Sequence, residues 1–168
     1  MTDLIIGVDA IAKASVNTMR ELIKQPLNVD ACTQFGPHKP GDTVEVRKAG
    51  TEDETISVQL NTVADVAFAV TSEDLTLPFN DFRDKFIVPA MDVLAKNIDR
   101  SMRAAGQGAQ FASAPLPLPV VDERFCAVVT LDGISLRVVE VFDIARCETV
   151  MAFDVLYGVA VAEQAEAA

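Results

Sequence analysis

Ile87, Met91, Leu94, Ile98 and Met102 recur at spacings of three and four, which places all five on one stripe of a helix. A helix with a single apolar stripe must bury it against another layer, so the residues on either side have to supply that layer. Pro89 stands near the start of the stripe. Its missing N–H costs nothing in a first helical turn, so it marks a joint. A short helix capped by Asn80 or Asp81 runs through Phe86, and a second helix runs from Pro89 to Ala105, about 17 residues or roughly 25 Å. Gly106 stops it, and Lys96, Asp99, Arg100 and Arg103 lie mainly on its other faces. The stripe reads as core packing.

The flanking sequence offers both helix and sheet. Leu4, Val8, Ile11, Ala12, Ser15, Val16, Met19 and Ile23 form a second helical stripe over 4–24 that ends before Pro26. The period then drops to two. Val44 and Val46 alternate with charge, as do Ile56, Val58 and Leu60, with Gly50 between the runs, which predicts a β-hairpin. Its tip, "AGTEDET", has no apolar anchor and is expected to project into solvent or onto a neighbouring molecule. The run from Val63 to Val70 reads as a better-buried strand. Past Gly106, "GQGAQFASAPLPLPVVDE" is rich in Gly and Pro and reads as a connector, with Pro115, Pro117 and Pro119 forcing extended backbone.

The last third is strand-rich. "TLDGIS" carries a two-residue Asp-Gly turn between apolar and β-branched residues. In "SLRVVEVFDIA", Leu136, Val138, Val139, Val141 and Ile144 alternate with charges. "TVMAFDVLYGVAVA" reads as a last, mostly buried strand, and "EQAEAA" as a frayed tail. The expected fold class is α+β, and 168 residues suffice for one domain with a core.

Chemistry-bearing residues are sparse. His38 lies in "GPHKPG" without an evident partner, and a lone loop histidine carries no mechanism. Glu52, Asp53 and Glu54 sit at the hairpin tip and Glu73 and Asp74 before a helix, whereas paired catalytic acids need a partly desolvated site. Cys126 and Cys147 read as buried small apolar side chains in strands. With Cys32 they make three scattered thiols without CxxC spacing, which fits a reducing cytoplasm and suggests neither disulfides nor zinc. Phosphate-binding and nucleophile motifs are missing from the sequence. The reading is of a protein that is not an enzyme, with no catalytic, metal-binding or cofactor-binding residues.

Half of the residues are hydrophobic, but charge interrupts them and no run approaches the roughly 20 apolar residues of a membrane span. The start, "MTDLIIGVDAIAKASV", lacks the pattern of a secretory leader. A formal charge of −11, with 14 dispersed Lys and Arg, argues against a surface that grips nucleic acid.

Three blocks, "KPGDTVEVRKAG", "VQLNTVADVAFAVTSEDLTLPFNDFRDKFIVPAMDVLAKNIDRSM" and "GISLRVVEVFDIARCETVMAFDVLYGV", resemble consecutive parts of tailed-bacteriophage major capsid (coat) proteins. "LPL" at 116–118 is similar to the segment before that family's last sheet. The resemblance implies the phage major capsid protein fold, in which a long spine helix packs on a P-domain β-sheet beside an extended hairpin, the E-loop, and an N-terminal arm. It divides the chain into an arm and helix at 1–35, the E-loop at 36–62, a P-domain strand and spine helix at 63–106, a connector at 107–122 and the remaining P-domain sheet at 123–168. Ile87, Met91, Leu94, Ile98 and Met102 become the spine core. Two departures stand out: "AAGQGAQFASAP" occupies the place of a sizeable A-domain, and the hairpin is shorter than a usual E-loop.

The implied function is a structural virion protein that self-assembles through pentamers and hexamers into an icosahedral shell, in the host cytoplasm, and encloses DNA without specific binding. Arg47, Lys48, Glu52, Asp53 and Glu54 are the expected inter-subunit contacts. With no long helix before Leu4, a separate scaffolding protein is implied, or none, together with a portal; no membrane is involved. The alternatives are an encapsulin-like compartment holding protein cargo, a capsid-derived head protein of limited assembly, and a small adaptor or decoration protein.

Overall fold

A computed structural model describes residues 7–27, 36–48, 50–120 and 125–161. Leu4, Cys32 and the "EQAEAA" tail lie outside them. The chain is α+β: two helices cover one face of an antiparallel five-stranded sheet, and a two-stranded hairpin lies on part of the other.

Helix α1 spans Val8–Leu22 and buries Val8, Ile11, Ala12, Ser15, Val16 and Met19, the expected stripe. Ser15 enters the core with its hydroxyl satisfied, because it donates to the Ile11 carbonyl one turn back at 2.6 Å. The second stripe lies on α3, Val88–Ala105, where Met91, Leu94, Ile98 and Met102 are buried, with Ile87 just before it. Gly106, at φ 89°, ends α3 as expected.

Upstream of α3 the joint differs from expectation. Helix α2, Phe79–Phe82, passes into a π-helical turn, Arg83–Ile87, and then into α3, so helical backbone continues from Phe79 to Ala105, a rod of about 40 Å. Pro89 cannot donate to the carbonyl four residues back, and its ring would strike it; the wider π turn accommodates both. Asn80 and Asp81 cap nothing, since they lie inside α2 with Pro78 at the N-cap position. The capping chemistry sits one turn earlier. Thr71 donates its N–H and hydroxyl to Asp74 Oδ2 at 3.0 and 2.9 Å, and the Asp74 N–H returns to Thr71 Oγ1 at 3.2 Å, the reciprocal pattern of a capping box.

Strands β1, Thr43–Arg47, and β2, Thr55–Gln59, form the expected hairpin, with Val44 opposite Val58. Strand β3 is Thr62–Val70, β4 is Ala109–Ala114, β5 is Cys126–Leu131, β6 is Ile134–Asp143 and β7 is Glu148–Val161. The order is β3-β7-β6-β5, and β4 also pairs with β7. Asp132 and Gly133, both at positive φ, make the β5–β6 turn that the Asp-Gly pair predicts. On the helix side, Met151, Phe153, Val155 and Tyr157 of β7 join Ala64 and Val70 of β3 and Leu136 and Val138 of β6 in one core with α1 and α3.

Several expectations are corrected. Ala109–Ala114 is not a connector: it pairs with β7 from Ala109 opposite Val161 to Ala114 opposite Leu156, and it is largely buried. Small residues gave it no strand signature, yet they are what fits beneath the hairpin. Strand β3 is less buried than expected, because Val63, Asp65, Ala67 and Ala69 face the sheet's outer side and the strand is an edge; only Ala64 and Val70 of its residues are buried. Cys126 is buried, but Cys147 is exposed, at φ 54° in the β6–β7 turn. Val141 and Ile144 do not reach the core. Pairing between β5 and β6 ends at Val139, and nothing described covers the ribbon beyond it.

The hairpin base does not project. Val44, Val46, Val58 and Leu60 pack with Ala112, Ala114, Leu116 and Leu156 in a second, smaller core. Gly158 makes this possible: a Cβ there would lie 2.0 Å from the Gln59 carbonyl oxygen, so β2 crosses β7 where β7 has no side chain. His38 contributes through its backbone, donating its N–H to the Pro115 carbonyl at 2.9 Å, and is half-buried.

Candidate interaction surfaces

Among the described residues no three His, Cys, Asp or Glu side chains are grouped so as to hold a metal ion, and no helix is long and apolar enough to cross a membrane. The surfaces that remain are the hairpin tip, the two faces of the rod, and the sheet's uncovered side.

At the tip the structure brings together two of the five proposed contact residues. Lys48 Nζ lies 3.1 Å from Glu54 Oε2, and the Lys48 N–H donates to the Glu54 carbonyl at 2.8 Å. Thr51 closes the turn by donating its N–H and hydroxyl to the Lys48 carbonyl, at 3.2 and 3.1 Å. Arg47, Glu52 and Asp53 are exposed, and Glu52 and Asp53 leave the tip with negative charge beyond the Lys48–Glu54 pair. The five residues expected as spine core are all buried.

A cleft of about 530 Å³ opens between the end of α1 and α3, lined by Leu22, Lys24, Asp92, Lys96, Asp99, Arg100 and Arg103. Lys96 is occupied by Asp92, one turn back on the same helix at 2.6 Å. Asp99 is held by backbone N–H groups of Lys24 and Gln25. The cleft is therefore basic at its rim and internally satisfied at its floor.

On the rod's other flank, Val66 and Phe68 of β3 and Lys85, Phe86, Pro89, Ala90 and Val93 line an apolar groove of about 260 Å³. Phe68 stacks between Phe86 and Phe153, with ring centroids 5.5 and 5.4 Å away. Lys85 lies over the Phe86 ring and binds Asp74 at 2.7 Å. That lysine, with the Thr71 N–H and hydroxyl, lowers the Asp74 pKa to about 2.

Among the described residues, the sheet's outer side is covered by the hairpin and the Pro-rich segment that follows β4. Elsewhere it shows Asp65, Ala67 and Ala69 of β3 and the ion pair of Arg137 with Asp154, at 2.6 Å. Arg137 also donates to the Pro117 carbonyl at 2.7 Å, which ties the Pro-rich segment to the sheet. At the far end of the β6–β7 ribbon, Val141, Phe142 and Ile144 are exposed, Ile144 by 81%. Glu140 stands beside them, its pKa raised by burial. The sequence pattern missed this apolar end, because alternation shows which residues share a face and does not show where cover stops.

No family model, no curated protein and no solved structure matches this chain.

Proposed function

We propose that this chain is a structural shell protein, a tile of the tailed-phage major capsid type that self-associates into a many-copy particle enclosing DNA. The observation that carries the reading is the rod from Phe79 to Ala105 packed on β3 and β7, in the order hairpin, strand, rod and terminal sheet that the resemblance implies. A rod bonded to a sheet resists bending along one axis, as a thin wall requires. In this reading Phe79–Ala105 is the spine, the five-stranded sheet the P-domain and β1–β2 the E-loop. The place of the A-domain is taken by Gly106–Gly108 and β4, which lead straight back onto β7.

A net charge of −11 keeps such a wall from adhering to packaged nucleic acid. The tip residues Glu52 and Asp53, with the Lys48–Glu54 pair and Arg47 beside them, are the contacts offered to a neighbouring copy. Because they are exposed, each ionic contact contributes only about 0.2 to 1 kcal/mol, and many repeats by symmetry are needed.

Particle mass by light scattering tests the reading. The intact chain gives multi-copy mass that falls at high salt and falls on deletion of Gly50 to Glu54. A chain that stays monomeric at every concentration contradicts the shell reading. Unchanged assembly after the deletion removes the hairpin tip from the interface.

A further inference from the structure

Strand β3 is one of the two outer strands of the five-stranded sheet. Its residues Thr62–Val70 pair with β7 on one side. Among the described residues, no backbone N–H or carbonyl of this strand has a hydrogen-bond partner on the other side. Native edges are usually blunted by Lys, Pro, a bulge or shortness. This one has none of these devices. "TVADVAFAV" runs nine residues with Asp65 as its single charge, and its register against β7 is unbroken.

A second feature lies along the same edge. The apolar groove beside the rod is walled by Val66 and Phe68 of β3 itself and by Phe86, Pro89, Ala90 and Val93 above them, and Val93 is 46% exposed. A strand added to β3 would satisfy the bare backbone row, and a helix carried above that strand would close the groove. This chain has that strand and that helix in that relationship.

The geometry points to a second copy of this chain as the occupant, with β3 pairing antiparallel on β3 about a two-fold axis at Val66. In that register Thr62 stands opposite Val70 and Asp65 opposite Ala67 of the second copy, so no charges meet directly. Among the described residues that line the groove, the one cation, Lys85, is paired with Asp74. In a chain of net charge −11, the repulsion local to this edge is confined to the diagonal pair of Asp65 carboxylates. Size sets the strength. Nine residues give an edge about 30 Å long, and with the rod's layer included the footprint is on the order of 450 Å² per copy, below the roughly 800 Å² per partner of a standard interface. The contact is weak alone and becomes effective when repeated.

The inference rests on the self-association of the shell reading and names one of its contacts. The test places Val66→Cys in a Cys32→Ser, Cys147→Ser background of the full chain, under mild oxidation, beside sedimentation of Val93→Lys and Asp65→Asn. Residue 66 meets its own copy within disulfide reach, so Val66→Cys cross-links and Val63→Cys does not. Val93→Lys weakens association at least tenfold. Asp65→Asn strengthens it, since the two carboxylates stand diagonally across the new pair, about 7 to 8 Å apart. Particles that form without the cross-link and ignore Val93→Lys overturn this contact and leave the shell reading standing. Cross-linked dimers that never grow larger support the contact and contradict the shell. A monomer whose β3 amides all exchange slowly shows that the chain covers its own edge, and overturns the inference.

Discussion

Both carboxylate oxygens of Asp99, on the rod, accept the backbone N–H of Lys24, at 3.1 and 3.2 Å, where the chain leaves α1. The Gln25 N–H adds a third bond at 3.0 Å, and Asp99 is only 7% exposed. One side chain thus anchors the exit of the first helix to the side of the last. Asp99→Ala leaves these N–H groups without their acceptor, and stability measured by chemical denaturation falls by about 1 to 3 kcal/mol. An unchanged midpoint would mean that water replaces the carboxylate at no cost.

Leu94 lies at the centre of the rod's buried stripe and is fully buried. Leu94→Ala lowers stability by roughly 2 to 5 kcal/mol, the range for a core cavity. Thermal unfolding checks this. An unaltered melting temperature would place the stripe against solvent or a partner.

Gly158 is where the hairpin meets the main sheet most closely. Gly158→Ala forces β2 away from β7, because the new methyl would stand 2.0 Å from the Gln59 oxygen. Hydrogen exchange should then speed up in β1 and β2 while the Leu94 region stays protected. Equal acceleration in both would mean that hairpin and main core unfold as one unit.

Those three sites show what was legible in the sequence. The stripes of α1 and α3, the hairpin and the Asp-Gly turn follow from local periodicity and turn chemistry, and each is where its residues put it. In the sequence Asp99 is one more charge off the apolar stripe, since its partners are backbone groups of residues 24 and 25, far away along the chain. Strand β4 is illegible in the sequence because Ala112, Ser113 and Ala114 carry no β signature; their smallness fits a space between hairpin and helices that exists only in the folded chain. The outer position of β3 is equally illegible, as edge or centre is decided by strand order.

The Thr71–Asp74 pair and Lys85 give the fold an acid-sensitive joint before the rod. The folded pKa of Asp74, about 2, is below its ordinary 3.8, so the stabilisation is complete above the ordinary value and disappears as pH falls through the folded one. Asp74→Asn should therefore flatten the loss of stability between about pH 4 and pH 2 and leave the slope above pH 5 unchanged. Denaturation at stepped pH values reads this directly. An identical slope in both proteins would mean that Asp74 keeps the same partners in the unfolded chain.

Electron cryomicroscopy of the purified chain tests the central claim most directly. In the shell reading β4 stands in place of an A-domain, so contacts along the rod, the sheet edges and the hairpin would hold the ring without a centre, and association must still offset several kcal/mol of lost rigid-body freedom. The account predicts multi-copy particles with openings at the capsomer centres. A stable monomer at high concentration, or capsomer centres sealed by this chain alone, would contradict it.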